Sequence, residues 1–241
     1  MDKNLLIPAA LSALVVVVLV GMFLGGAFNS GGSLDKNALE RVVAATGWRV
    51  SQVRAGSRDV TTLTPADGSW EIVLRTSERT GSRGTGGASS VFTTGGSGTA
   101  WHAASPTFPG FMAVAPGEPV PEGAANDLLA GPRGAMLAAV LPRVMRDLTG
   151  GDVPAPARLV GFRSGDAGFD ASYTLVADDP AWAAGLLGQA VRDALRAVPG
   201  ASLVVSSAGL QVAIPGEPAP DPGALQRLVD AGQRVRAALA G

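Results

Sequence analysis

Apolar residues run from Leu5 to Phe28 with one interruption, Ser12, and Ile7 to Gly26 is a twenty-residue stretch without charge. At 1.5 Å per residue, about twenty such residues cross the roughly 30 Å hydrocarbon core of a bilayer. Leucine and the Val15–Val18 block each favour the bilayer centre by about a few tenths of a kcal/mol, so the pattern predicts a transmembrane helix. Pro8 falls in its first turn, where a missing N–H costs little. A cleaved signal is the rival reading, because Gly25-Gly26-Ala27 offers small residues to a peptidase. Against it, the apolar run exceeds the roughly 7–15 residues of a secretory core, and Lys3 before it is balanced by Asp2. A buried soluble helix is the third reading. Lys3 and the amino terminus precede the span, whereas the next basic residue is Lys36, a bias that favours an extracytoplasmic bulk.

After a short leash, Asn29 to Ser33, the periodicity changes. Leu39, Val42 and Val43 share one helical face, with Ser33 or Asp35 available as cap and Gly47 as terminator. RDVTTLT and SWEIVLRT flank Pro65-Ala66-Asp67-Gly68 and predict a hairpin, in which Trp70, Ile72 and Leu74 alternate with Glu71, Val73 and Arg75. The stretch Thr76 to Gly98 is rich in Gly, Ser and Thr and predicts a loop. GTAWHAAS and GFMAVAP predict two more strands of the same sheet, and the Pro- and Gly-containing run from Ala115 to Gly123 marks a subdomain boundary.

Beyond it, residues 124 to 148 predict a helical region interrupted near Pro132 and Pro142. ARLVGFR and FDASYTLVA predict a hairpin through Gly165-Asp166-Ala167-Gly168, with Phe169, Ala171, Tyr173 and Leu175 on one face. ADDPAWAAGLLGQAVRDALRAV predicts one helix, capped by Asp179 with Pro180 in its first turn. Its expected buried stripe is Trp182, Leu186, Ala190, Val191, Leu195 and Val198. SLVVS and LQVAI predict a hairpin through Ser207-Ala208-Gly209. A last helix starts at Asp221-Pro222 with Leu225, Leu228, Val229, Val235 and Leu239 inward. The expected organisation is therefore an anchor (1–28), a linker (29–33), an N-terminal subdomain (34–123) and a C-terminal subdomain (124–241). The fold class is α+β, antiparallel strands with segregated helices, and the hairpin–helix order of the second half suggests a ββα duplication.

Composition narrows the chemistry. The chain has 241 residues, 46% of them hydrophobic and 16% charged, and a formal net charge of −1, which gives no reason to expect nucleic acid as a partner. It has no cysteine, which excludes disulfides, thiolate metal sites and cysteine nucleophiles. The single histidine, His102, invites a base role toward Ser105 or Ser97, yet no G-x-S-x-G elbow occurs. Asp178-Asp179 resemble a cation-binding pair, but their place before an amphipathic helix explains them as caps. Arg75, Arg79 and Arg83 punctuate a glycine-bearing loop and are the candidates for an anionic or small polar ligand. The glycines there fit neither a dinucleotide fingerprint nor a phosphate-binding P-loop. Gly21 and Gly25 leave one face of the apolar helix bare, which suits close approach by another transmembrane helix or a second copy. Trp48, Trp70, Trp101 and Trp182 are assigned to packing.

ATGWRV, DGSWEI, TAWHA and FDASYTLVADDPAWAAGLL together resemble a group of uncharacterised bacterial single-pass envelope proteins. That resemblance brings no activity to carry over. The sequence thus predicts a non-enzymatic, cofactor-free protein, held in the lipid bilayer and acting through protein contacts, as an accessory or assembly factor of an envelope complex. A membrane-tethered ligand-binding module is the alternative.

Overall fold

The computed structural model describes residues 36–55, 58–77, 98–104, 108–117, 119, 159–215 and 221–240. The expected anchor and linker and the expected helical region from 124 to 148 lie outside these residues. Among the described residues, no helix is long and apolar enough to cross a membrane.

The first element, α1 (Lys36–Thr46), buries Ala38, Leu39 and Val42. It stops at Gly47, whose φ of 69° carries its N–H back to the Val43 carbonyl at 2.8 Å. Only glycine adopts that turn without Cβ strain, so the expected helix end is the observed one. Trp48 then packs edge-on against Trp70 with ring centroids 5.1 Å apart, and both indoles are buried.

Among the described residues, nine strands form one antiparallel sheet. They are β1 (Arg49–Ala55), β2 (Arg58–Thr64), β3 (Glu71–Ser77), β4 (Gly98–Ala103), β5 (Met112–Pro116), β6 (Val160–Gly161), β7 (Tyr173–Ala177), β8 (Ser202–Ser206) and β9 (Gly209–Pro215). Their spatial order is β1-β2-β3-β4-β9-β8-β5-β7-β6. The α+β class and the antiparallel sheet are as the alternation predicts, and the strands of the three expected hairpins, β2–β3, β6–β7 and β8–β9, pair antiparallel. Strands from both expected subdomains share this sheet, because β9 pairs with β4 and β8 pairs with β5.

Register puts a continuous apolar row across the sheet: Leu63, Ile72, Trp101, Val212, Leu203, Val114 and Leu175 are successive cross-strand partners. All seven are at most 2% exposed, which makes this face the core. The long C-terminal helix α5 (Pro222–Ala240) packs on β4 and β9 of this face, flanked by α1 and by α4 (Gln189–Arg196). Of its expected inward residues Leu225, Leu228, Val229 and Val235 are buried, and Leu239 is half-buried. At Gly232 the helix backbone lies directly on the Trp101 indole, where no side chain fits. The opposite face carries smaller residues, and Ala113, Thr174, Val176 and Val204 there are buried as well.

Arg49–Ala55, of which the sequence predicts nothing, is a strand, although RVSQVRA has only two apolar positions of strand-forming type and these point to opposite faces. Three expectations need correction. The link between β6 and β7 is not a β-turn. Ala167–Asp170 forms a helical turn, α2, because Asp166 caps it by accepting from the Phe169 N–H at 3.0 Å. The expected strand FDASYTLVA is thereby shortened to Tyr173–Ala177, and Phe169 belongs to the turn. The expected single helix from Asp179 divides at Leu187-Gly188 into α3 (Pro180–Leu186) and α4. Leu187 leaves the helical region there, with ψ at 49°, and Arg192 donates to the freed Leu187 carbonyl at 2.6 Å. Its buried stripe shifts accordingly: Ala183, Leu187, Val191, Ala194, Leu195 and Val198 are interior, Trp182 and Leu186 are half-buried, and Ala190 is exposed.

Candidate functional site

The residues singled out for chemistry do not converge. Gly21, Gly25, Arg79 and Arg83 lie outside the described residues. Arg75 has a described backbone position in β3, opposite Val60 on β2 and Gly98 on β4. Ser97 and Ser105, the serines set beside His102 as nucleophiles, are also outside the described residues. Asp178 and Asp179 act as backbone acceptors. Asp178 Oδ1 takes the Phe111 N–H at 2.9 Å and the Asp179 N–H at 2.8 Å. Asp179 Oδ1 takes those of Ala181 and Trp182 at 3.0 and 3.1 Å, the N-cap expected of it. Among the described residues, no three His, Cys, Asp or Glu side chains are grouped to hold a metal ion.

The tryptophans are packing residues to different degrees. Trp48, Trp70 and Trp101 are buried, whereas Trp182 is half-buried beside Phe108, with ring centroids 6.3 Å apart.

A charged cluster ties α2 to α4. Asp166 Oδ2 accepts from Arg196 at 2.8 Å, and Arg192 Nε lies 3.5 Å from the same oxygen. The Arg196 hydrogen bond, the Phe169 N–H and the two guanidinium charges hold the Asp166 carboxyl below its ordinary value. Arg196 also lies 5.3 Å above the Phe169 ring, which stacks on Tyr173 at 4.2 Å. Burial pushes the Tyr173 phenol above its ordinary value of 10.0. Every charged group in this cluster has a partner within it, so its role is to fasten the β6–β7 connection to the helix layer.

The feature that departs from packing lies on the opposite face of the sheet. There the register aligns Glu71 of β3 with His102 of β4, and His102 with Gln211 of β9. Directly opposed residues on antiparallel strands have Cβ atoms about 4.5–5.5 Å apart, so the three polar side chains form one cross-strand row. The β8–β9 turn closes one end of a cleft of about 120 Å³ lined by Glu71, His102, Ala104, Ser206, Gly209 and Gln211, among others. Gly209 permits that closure: its φ is 115°, and an added Cβ would strike the Ala103 carbonyl and lie 3.0 Å from the Ala104 backbone. Exposure falls along the row, from exposed Glu71 through half-buried His102 to Gln211 at 5%.

Gln211 is the most buried of the three. Its Oε1 is closed off from solvent and makes no hydrogen bond, so it is a polar group buried at a cost and not an acceptor open to the cleft. Ser206, the hydroxyl in the lining, already accepts the Ala208 N–H at 3.2 Å through its Oγ. Glu71 and Gln211 carried no expectation from sequence. The available signals were slight: a glutamate alternating with Trp70 and Ile72, and one glutamine inside the apolar strand LQVAI. Only strand pairing brings them to either side of His102.

No family model, curated protein or solved structure matches this chain.

Proposed function

We propose that this chain is a non-enzymatic, single-pass membrane protein whose α+β domain lies outside the cytoplasm and acts through protein contacts, as an accessory or assembly factor of an envelope complex. The uncharged run Ile7–Gly26 supports the anchor, and the bare Gly21/Gly25 face supports pairing with another membrane helix or a second copy. The observation that carries the contact reading comes from the sheet. The exposed large hydrophobics among the described residues, Val50 at 38% and Val53 at 60%, both belong to β1. That strand is an end of the sheet among the described strands. An edge strand of seven residues offers unpaired backbone groups to a partner strand, and apolar side chains on it supply the specificity of strand addition.

The hairpin–helix order β6–β7 followed by α3 and α4, and β8–β9 followed by α5, supports the reading of the second half as a ββα duplication.

The test is co-purification from membranes in mild detergent, comparing wild type with Val53→Lys and with the Gly21→Leu/Gly25→Leu double variant. A stoichiometric partner retained by wild type and lost in Val53→Lys supports contact through β1. Loss only in the glycine variant moves the contact into the bilayer. A wild-type chain that brings down nothing removes the reading.

A further inference from the structure

We propose that the strand which joins β1 is an acidic segment of a partner protein, patterned acidic–apolar–x–x–apolar–acidic. This rests on the reading of β1 as a contact strand and names what it contacts. β1 is an end of the sheet among the described strands, and nothing in it blunts the edge. Its seven residues pair one to one with β2, so no bulge interrupts it, and RVSQVRA contains no proline. Its side chains then set what can lie alongside. Val50 and Val53 are both exposed, one on each face of the strand. Arg49 and Arg54 bracket them, and no residue of β1 is acidic. The Arg49 guanidinium donates to the Pro65 and Ala66 carbonyls at 3.2 and 3.0 Å, neutral acceptors that leave its charge uncompensated.

On the inner side, β2 already has the complementary pattern. The register sets Asp59 opposite Arg54, Val60 opposite Val53, Thr61 and Thr62 opposite Gln52 and Ser51, and Leu63 opposite Val50. A residue of a sheet strand has a neighbour on each side, so an outer strand meets the same row that β2 meets. Apolar residues opposite Val50 and Val53 and a carboxylate opposite Arg54 therefore suit it best. Thr64 lies opposite Arg49 on the inner side, which leaves that charge to an outer carboxylate. The resulting pattern reads the same from either end and serves a parallel or an antiparallel partner. A second copy of β1 would bring two more arginines and no carboxylate to the junction. Charge complementarity thus favours a different chain over self-pairing.

The full chain in detergent micelles is titrated into fluorescein-labelled peptides, and binding is read by fluorescence anisotropy. The first peptide is Asp-Val-Thr-Thr-Leu-Glu amide, and the second has lysine at both ends instead. The third is the acidic peptide N-methylated at every residue, which keeps the carboxylates but donates no backbone hydrogen bond. Two opposite-charge pairs exchanged for two like-charge pairs predict that the acidic peptide binds about fivefold or more tightly than the lysine one at low salt. That advantage shrinks at high salt and in Arg54→Gln. The peptide comparison on the unaltered chain needs no variant, so it decides even where Arg54→Gln loosens the β1–β2 ladder. Equal binding of the acidic and lysine peptides overturns the acidic partner and leaves contact through β1 standing. Undiminished binding of the methylated peptide overturns strand addition in favour of plain charge attraction. Binding of no peptide overturns the proposal, whereas the contact reading falls only if wild type co-purifies with nothing. A dimer of the chain that is lost in Val53→Lys assigns the edge to a second copy and also overturns the proposal.

Discussion

Replacing Gly232 by alanine separates helix propensity from helix–sheet packing, because the two act with opposite sign at this position. Gly232 lies within the nineteen residues of α5, and alanine gains about 0.8–1 kcal/mol over glycine inside a helix. Its Cβ, however, would stand 2.8 Å from Trp101 Cε2 and nearer still to Cδ2 and Cε3. Carbon atoms in contact sit about 3.5–4.0 Å apart, so helix or indole must retreat by about 1 Å. Neither has slack: Trp101 is fully buried at the centre of β4, and Leu228, Val229 and Val235 pin the helix on either side. Overpacking of this kind costs about 1–3 kcal/mol. The net expectation runs from no change to a loss of about 2 kcal/mol, and for a chain of this length about 2–4 °C in Tm per kcal/mol. Gly185 in α3 is the control, since it is exposed and its Cβ would meet nothing within 4 Å. Gly185→Ala is expected to gain at most about 1 kcal/mol. Thermal unfolding followed by tryptophan fluorescence measures both variants. A Gly232→Ala chain as stable as Gly185→Ala would refute the close approach of α5 to β4.

Three further outcomes are expected. Gly209→Ala combines a φ of 115° with a Cβ driven into the Ala103 carbonyl, and is expected to lose at least about 2 kcal/mol by denaturant unfolding. Asp166 has a folded-state pKa below its ordinary 3.8, so its stabilisation is present above that value and is lost as pH falls through the lowered one. Tm measured on descending pH should therefore fall less steeply below about pH 4 in Asp166→Asn than in wild type, and parallel curves would remove the Arg196 pair as a contributor. Tyr173 is the single tyrosine, and burial raises its phenol above 10.0. Its ultraviolet titration is expected to have a midpoint above that value in the folded chain and to return to it on unfolding. With the folded value raised, the corresponding stability is present below about pH 10 and is lost as pH climbs. Arg196→Ala removes the neighbouring positive charge and is expected to raise the midpoint further.

Local signals in the chain determined much of the fold. Alternation in SWEIVLRT and LQVAI, the Asp179-Pro180 and Asp221-Pro222 helix starts, and Gly47 as a terminator are written within a few residues, because capping, turn geometry and amphipathic burial act over one or two helical turns. The local pattern falls short where a neighbour in space outweighs it. RVSQVRA has weak alternation and predicts no element by itself, and it becomes a strand because β2 supplies a full ladder beside it. GLLGQ reads as continuous helix, yet the helix breaks at Leu187 while the Arg192 guanidinium takes up the orphaned carbonyl. The cleft was the least legible feature. Glu71, His102 and Gln211 are separated by 31 and 109 residues, and their alignment depends on the register of β3, β4 and β9. Register follows from which faces the large side chains bury, here Ile72, Trp101 and Val212 beneath α5. Each strand's sequence fixes which residues share a face, but only the assembled sheet decides which of them meet.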